Sequence, residues 1–402
     1  MSLSQGRSYL AIPGPSVMPD QVLRAMQRAA PNIYAGELME MMPGIITDLK
    51  TIAGTQFHCA PYIGNGHMVW DVALANVLAE GDHALCLATG RFGLLWADMA
   101  DGLGIHVDIH DYGRRDPIDL DRLDAALRAD SGHQIKAVLM THVDTATGRK
   151  NDPAAVRAVL DAADHPALLM VDCIASLGCD EYRMDDWGAD ITIAACQKGL
   201  MTPPGMAFVF FNNRAQAARG RMTRVARHYD WQSRIEGGIL ANYFNGTPPT
   251  HLLYALRAAL DLILTEGLDH VWTRHHVLAR AIWAACDAWG QGGAMQLNIP
   301  DPAERSHAVT AARLNAPDGT RLRNWLEANT GVTLGIGLGM DTPEDPHSSA
   351  AFRFGHMGHI NAQMVMGMLG SVDMGLKALS IAHGDGALEA ASRICADHLK
   401  QR

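Results

Sequence analysis

The chain has 402 residues, 48% hydrophobic and 19% charged, with 33 basic against 43 acidic side chains. This is the composition of a folded chain long enough for two or three domains, and it excludes a wholly disordered one. The formal charge of −10 argues against general binding to nucleic acid or to an anionic membrane, where a basic face supplies most of the attraction. Small anions in local basic pockets stay open. No stretch approaches the ~18–20 unbroken apolar residues of a membrane span.

In chain order, the first segment of note is Ile12 to Pro19 (IPGPSVMP), within a polar arm over residues 1–20. Pro61 to His67 (PYIGNGH) precedes a helical pattern from Val69 to Leu78. A glycine-bearing turn opening a helix aims backbone N–H groups and the helix dipole at one spot, which suits a phosphate. Ile135 to Met140 reads as a strand and runs into Thr141 to Gly148. Pro153 to Ala163 reads as a helix with Asp152 as N-cap and proline at its first position. Ala167 to Val171, Ala189 to Ala195 and Ala207 to Phe211 read as further strands. Apolar runs of this length separated by helices predict a mostly parallel sheet covered on both faces, an α/β architecture.

Later the pattern changes. Thr250 to Glu266 and Leu268 to Gly290 read as two long helices. Beyond Gly290 to Gly293 comes a mixed region with a strand over Ala308 to Leu314. Helices follow near Thr320 to Asn329, Asn361 to Leu379 and Gly386 to Lys400. The expected division is a large domain over 21–280 and a smaller α+β domain over 281–402. There is no internal repeat. The polar N-terminus lacks a charged-then-apolar leader pattern, and Lys400-Gln401-Arg402 is not a peroxisomal tripeptide. Seven cysteines without a C-x-x-C pair read as reduced thiols in a cytoplasmic protein. Cys173, Cys179 and Cys196 read as small apolar filler. His356 and His359 are spaced H-x-x-H without a third ligand in view and read as structural histidines, so no metal is expected.

In parallel sheets, ligands sit beyond the carboxyl ends of the strands. Two such ends carry Asp172 and Lys198. An amine beside a carboxylate, near a glycine-rich anion turn, is what pyridoxal phosphate requires. The amine binds the aldehyde, the carboxylate pairs with the pyridine nitrogen, and the turn takes the phosphate. Each residue also has a plain alternative, a loop lysine in solvent and an aspartate capping a helix.

Four segments carry a more specific signal: Val171 to Gly178 (VDCIASLG), Cys196 to Gly205 (CQKGLMTPPG), Ile12 to Pro19, and Arg353 to Gly358 (RFGHMG). Together they resemble the class V aminotransferases, within them the serine–, alanine– and aspartate–glyoxylate group. The resemblance spans nearly the whole chain. It implies the fold-type I architecture, pyridoxal 5'-phosphate as cofactor, and a homodimer with active sites shared between subunits. It also implies transfer of an amino group from serine, alanine or aspartate to glyoxylate. Lys198 matches the Schiff-base lysine and Asp172 the partner of the pyridine nitrogen. Ile174 matches the aliphatic side chain under the ring and Phe92 the aromatic over it. Asn65, Gly66, His67 and Gln197 match phosphate contacts, and Thr145 a hydroxyl near the ring oxygen. Thr247 matches a phosphate contact donated by the neighbouring subunit. Arg353 matches the arginine for the substrate carboxylate, and Gly14 lines the same pocket. Apart from the resemblance, Phe92 also reads as core, His67 as a helix N-terminal residue and Arg353 as a surface ion-pair former.

Two positions depart from the pattern. Phe244 stands where many relatives have a tyrosine reaching the cofactor phosphate. Phenylalanine cannot donate that hydrogen bond, at a cost of roughly 0.5–1.5 kcal/mol of cofactor affinity. Asp144-Thr145 replaces the more usual glutamate pair. Both changes resemble the pyridoxamine–pyruvate aminotransferases. Against that branch, Asn65 is neutral where an acid would repel a phosphate, and Met340 to Ala351 holds no second arginine. A lyase of the same fold is the other alternative. A desulfurase would need a mobile cysteine, and beyond residue 290 only Cys395 is present.

Overall fold

The computed structural model describes residues 2–400; the end of the C-terminal tripeptide, Gln401-Arg402, lies outside the described residues. The main sheet has seven strands, in spatial order His58–Gly64, Gly205–Phe211, Ile191–Ala195, Leu168–Asp172, Ile135–Thr141, His83–Ala88 and His106–Asp111. The last five pair in parallel. Gly205–Phe211 runs antiparallel to both of its neighbours. An apolar run looks the same in either direction, so its sense was not legible in the sequence.

The strands are apolar on both faces because both faces are covered. Leu85, Val138, Leu169 and Phe208 join one core, and their chain neighbours Ala84, Leu139, Met170 and Val209 join the other. His106–Asp111 is the exception, an edge strand of exposed and half-exposed residues with two aspartates, which discourages further pairing.

Several helix starts follow from capping. Asp152 accepts from Ala154 N at 2.9 Å and Ala155 N at 3.1 Å ahead of the helix Pro153–Ala162. Asn361 accepts from Met364 N ahead of Ala362–Ala378. Each satisfies a donor that a helix leaves open in its first turn.

A second sheet holds five short strands, in the order Tyr9–Ala11, Val332–Ile336, Ala351–Gly355, Val309–Arg313 and Gln296–Leu297. With Leu278 to Trp289 of the helix Leu268–Gly290, and with the helices Asp318–Thr330, Ala362–Ala378 and Ala387–Lys400, it forms a third core. Tyr9–Ala11 pairs in parallel with Val332–Leu334, which ties the N-terminal arm to this sheet and places the segment after Ala11 beside the tips of the main-sheet strands.

Candidate active site

A cavity of about 320 Å³ opens at the carboxyl ends of the parallel strands. Every residue to which the resemblance gives a role in the site, except Thr247, lines it: Gly14, Asn65, Gly66, His67, Phe92, Thr145, Asp172, Ile174, Gln197, Lys198 and Arg353. Pro13, Trp70, Val143, Ala175 and Leu338 complete the wall. Thr247 is exposed and stands outside this wall. Phe244 is 1% exposed and packs in the first core, its ring surrounded by its own chain.

Asp172 ends the strand Leu168–Asp172 and is buried. Its Oδ1 accepts from Ile174 N at 2.7 Å and its Oδ2 from the Trp70 indole N–H at 3.1 Å. Burial pushes the carboxyl up to about 7, against the pull of those two donors and of Lys198. Lys198 stands three residues beyond the strand Ile191–Ala195, and its amine donates to the carbonyl of Pro13. Burial, followed by the charge of Arg353, lowers the amine to about 8. The pair are thus a carboxylate drawn toward its protonated form and an amine drawn toward its neutral one, held in one cavity.

Glycine is required at two points of the wall. A Cβ on Gly14, where φ is +93°, would sit 2.6 Å from Lys198 Nζ. One on Gly66 would sit 2.5 Å from Ile174 Cδ1. Gly66 opens the helix Gly66–Val77, with Asn65 capping Met68 N at 3.1 Å. The N–H groups of Gly66 and His67 begin that helix and have no carbonyl behind them within it, which leaves two donors and the dipole for an anion.

Arg353 comes from the second sheet. Its Nε donates to Ile336 O at 2.8 Å and its Nη1 to Thr145 O at 2.9 Å. Burial lowers this guanidinium to about 10, still far above neutrality. It is a buried, backbone-anchored cation and not a surface ion pair.

The residue Trp70 and the capping role of Asp144 were missed at the level of sequence. Trp70 is 1% exposed, stacks on Trp96 at 6.0 Å and meets His67 edge-on at 4.7 Å. Its place on the turn after His67 was a visible signal, since residues three apart share a helix face. Asp144 caps the helix Arg91–Gly102 from across the chain by accepting from Phe92 N at 2.8 Å, and it also accepts from Ala146 N at 2.9 Å. Any Cβ at Gly90 would come within 2.5 Å of the Asp144 carboxyl carbon. Asp144 thereby fixes the start of the segment carrying Phe92.

Cys173, Cys179 and Cys196 are fully buried, and burial pushes each thiol up. His356 is buried between Thr310 Oγ1 at 2.8 Å and the carbonyl of His307 at 2.9 Å, whereas His359 is exposed. Among the described residues no group of three or more His, Cys, Asp or Glu side chains is arranged to hold a metal ion.

The family model described as Aminotransferase class-V matches residues 66–343. A serine–glyoxylate aminotransferase of Methylorubrum extorquens is 35% identical over 396 residues, 96% of each chain. An L-aspartate–glyoxylate aminotransferase of Paracoccus denitrificans is 34% identical over 395 residues, 97% of this chain and 96% of the relative. The crystal structure of pyridoxamine–pyruvate aminotransferase from Mesorhizobium loti superposes with a TM-score of 0.87 over 99% of this chain and all of that one. At 24% identity that likeness establishes the fold alone.

Proposed function

The chain belongs to the class V aminotransferases, enzymes of pyridoxal 5'-phosphate, and from that premise we propose that it moves the amino group of serine, alanine or aspartate to glyoxylate, with Lys198 as its base. The observation that carries this most is the meeting of Lys198, Asp172 and Arg353, from two sheets, around one cavity.

The residues fit the cofactor. The wall offers a lysine amine for an aldehyde, a buried carboxylate for a ring nitrogen, a helix N-terminus for a phosphate, and Ile174 and Phe92 for the two faces of a flat ring. When bound, that group holds the amino nitrogen of the substrate and takes up the electrons left by the broken Cα–H bond.

The chain's own residues do the rest. Lys198, lowered to about 8, carries a substantial neutral fraction at physiological pH and so accepts the Cα proton and returns it. Asp172 keeps negative charge toward the ring nitrogen, aided by Trp70 and Ile174 N. Gly66 and His67 would hold the phosphate through the helix N-terminus, together with Asn65 and Gln197, and the hydroxyl of Thr145 would stand near the ring oxygen. Arg353 spends Nε and one Nη1 hydrogen on backbone carbonyls, and its remaining donors take the substrate carboxylate. Gly14 leaves the space in which the Lys198 side chain swings. Thr247, exposed on its own chain, we assign to the cofactor phosphate of a neighbouring subunit in a homodimer. We place the enzyme in the cytoplasm, where its seven unpaired cysteines stay reduced; no described helix is long and apolar enough to cross a membrane.

Both half-reactions use this one site, so the kinetics are ping-pong. The test is to mix the holoenzyme with serine, alanine or aspartate, no oxo acid being present, and to record the visible spectrum. The cofactor band should bleach with at least one donor and return on addition of glyoxylate. A band unmoved by all three, or ammonia released without an oxo acid, overturns the assignment.

A further inference from the structure

Arg91 is used by none of these roles. It opens the helix Arg91–Gly102 immediately before Phe92, and its side chain is exposed. Its aliphatic stem lies against Gly339, where a Cβ would come within 2.7 Å of Arg91 Cβ and 3.0 Å of Cδ. Gly339 has φ +71° and follows Leu338, which lines the cavity beside Arg353. Burial, followed by the Arg91 charge, lowers the imidazole of His67, another residue of the cavity wall. Arg91 therefore stands next to the cavity wall, beside Phe92 in the chain and against Gly339, the neighbour of Leu338.

The guanidinium makes no ion pair or side-chain hydrogen bond among the described residues, whereas nearby Arg114 gives its Nε to the carbonyl of Gly339 at 2.7 Å. Asp144, a buried acid of this region, is already engaged by the backbone N–H groups of Phe92 and Ala146. A cavity with one anchored arginine inside thus has a second, uncommitted arginine next to its wall. An amino donor with one carboxylate uses only the first; one with two uses both.

We propose that Arg91 binds the distal carboxylate of a dicarboxylic amino donor, so that the enzyme prefers aspartate over alanine and serine. This rests on Arg353 holding the α-carboxylate. Arginine suits the task because its planar fork matches a carboxylate with two parallel hydrogen bonds. An exposed position keeps the contact sensitive to salt.

The experiment compares wild type, Arg91→Gln and Arg91→Lys as holoenzymes. Three quantities are read: the ratio of kcat/KM for aspartate over alanine, the affinity for succinate relative to propionate, and the cofactor dissociation constant. In Arg91→Gln, both ratios should fall by about tenfold, carried in KM, as expected for losing one charged hydrogen-bond pair at an exposed site. Arg91→Lys should regain part of each, and added salt should weaken succinate binding in wild type more than in Arg91→Gln. Unchanged ratios, or a loss confined to cofactor affinity, which would put Arg91 on the cofactor phosphate, overturn the proposal. If no donor bleaches the wild-type cofactor, the transaminase assignment fails separately, and the succinate-to-propionate ratio still reports on Arg91.

Discussion

The indole N–H of Trp70 donates to Oδ2 of Asp172 across 3.1 Å, joining the helix that opens at Gly66 to the tip of the strand Leu168–Asp172. The other carboxylate oxygen is held by Ile174 N at 2.7 Å. Both donors favour the charged carboxylate, and burial opposes them strongly enough to leave it near 7. Trp70→Phe keeps the ring against Trp96 and His67 and deletes the donor. Asp172 should then hold its proton to higher pH. Cofactor affinity of the apoprotein, which should weaken below about pH 7 in wild type, should begin to weaken at a higher pH. At neutral pH it should be roughly tenfold lower, the value of one hydrogen bond to a charged group. Titrating cofactor binding by absorbance between pH 5 and 9 checks this, and identical pH profiles would contradict it.

Gly66→Ala tests the fit of the phosphate turn against Ile174. The new methyl would lie 2.5 Å from Ile174 Cδ1, so that side chain must move into the space for the ring. Overpacking of this kind costs about 1–3 kcal/mol, and we expect cofactor affinity to fall at least about fivefold. Thermal stability of the apoprotein should change little, because an alanine there suits a helix better than glycine. Equilibrium dialysis of the cofactor with both apoproteins reads the difference.

Arg353→Lys keeps a charge and loses the fork. The carbonyls of Ile336 and Thr145, now taken by Nε and Nη1, would compete for a single ammonium. The KM for every amino donor should rise by about tenfold or more, with a smaller change in kcat. A loss in kcat alone would place Arg353 elsewhere in the reaction.

Much of this constellation was legible before folding was considered. Lys198, Asp172 and Arg353 lie in segments with recognisable neighbours, and the helices Thr250–Glu266 and Leu268–Gly290 coincide with their periodic patterns because Gly267 ends one and begins the other. What stayed hidden depends on distant parts of the chain meeting. The sense of Gly205–Phe211 is set by its partners and not by its own apolar run. Asp144 shows in sequence only as a departure from the more usual glutamate, and its capping of a helix 52 residues upstream appears only in the fold. Arg91 acquires its place beside the cavity wall only when Gly339 packs against it.

Stability should fall in acid for a defined reason. His142 and His356 are buried, and burial lowers both to about 4, against an ordinary value of 6.5. Between those limits the unfolded chain binds protons that the folded one does not. The contribution of these two histidines is therefore complete above pH 6.5 and declines as the pH drops toward 4, at up to about 3 kcal/mol per pH unit for the two together. Urea midpoints at pH 7, 6 and 5 measure the slope. His142→Asn should flatten it, and an unchanged slope in that variant would show that its imidazole titrates normally.

The role of Lys198 can be read directly by treating the holoprotein with borohydride, digesting it and locating the reduced cofactor by mass spectrometry. The expected result is one adduct per chain, on the peptide carrying Lys198, and none in Lys198→Ala. An adduct on Lys50, Lys136 or Lys150 instead, or no adduct from a protein that has bound the cofactor, would contradict the assignment of the site.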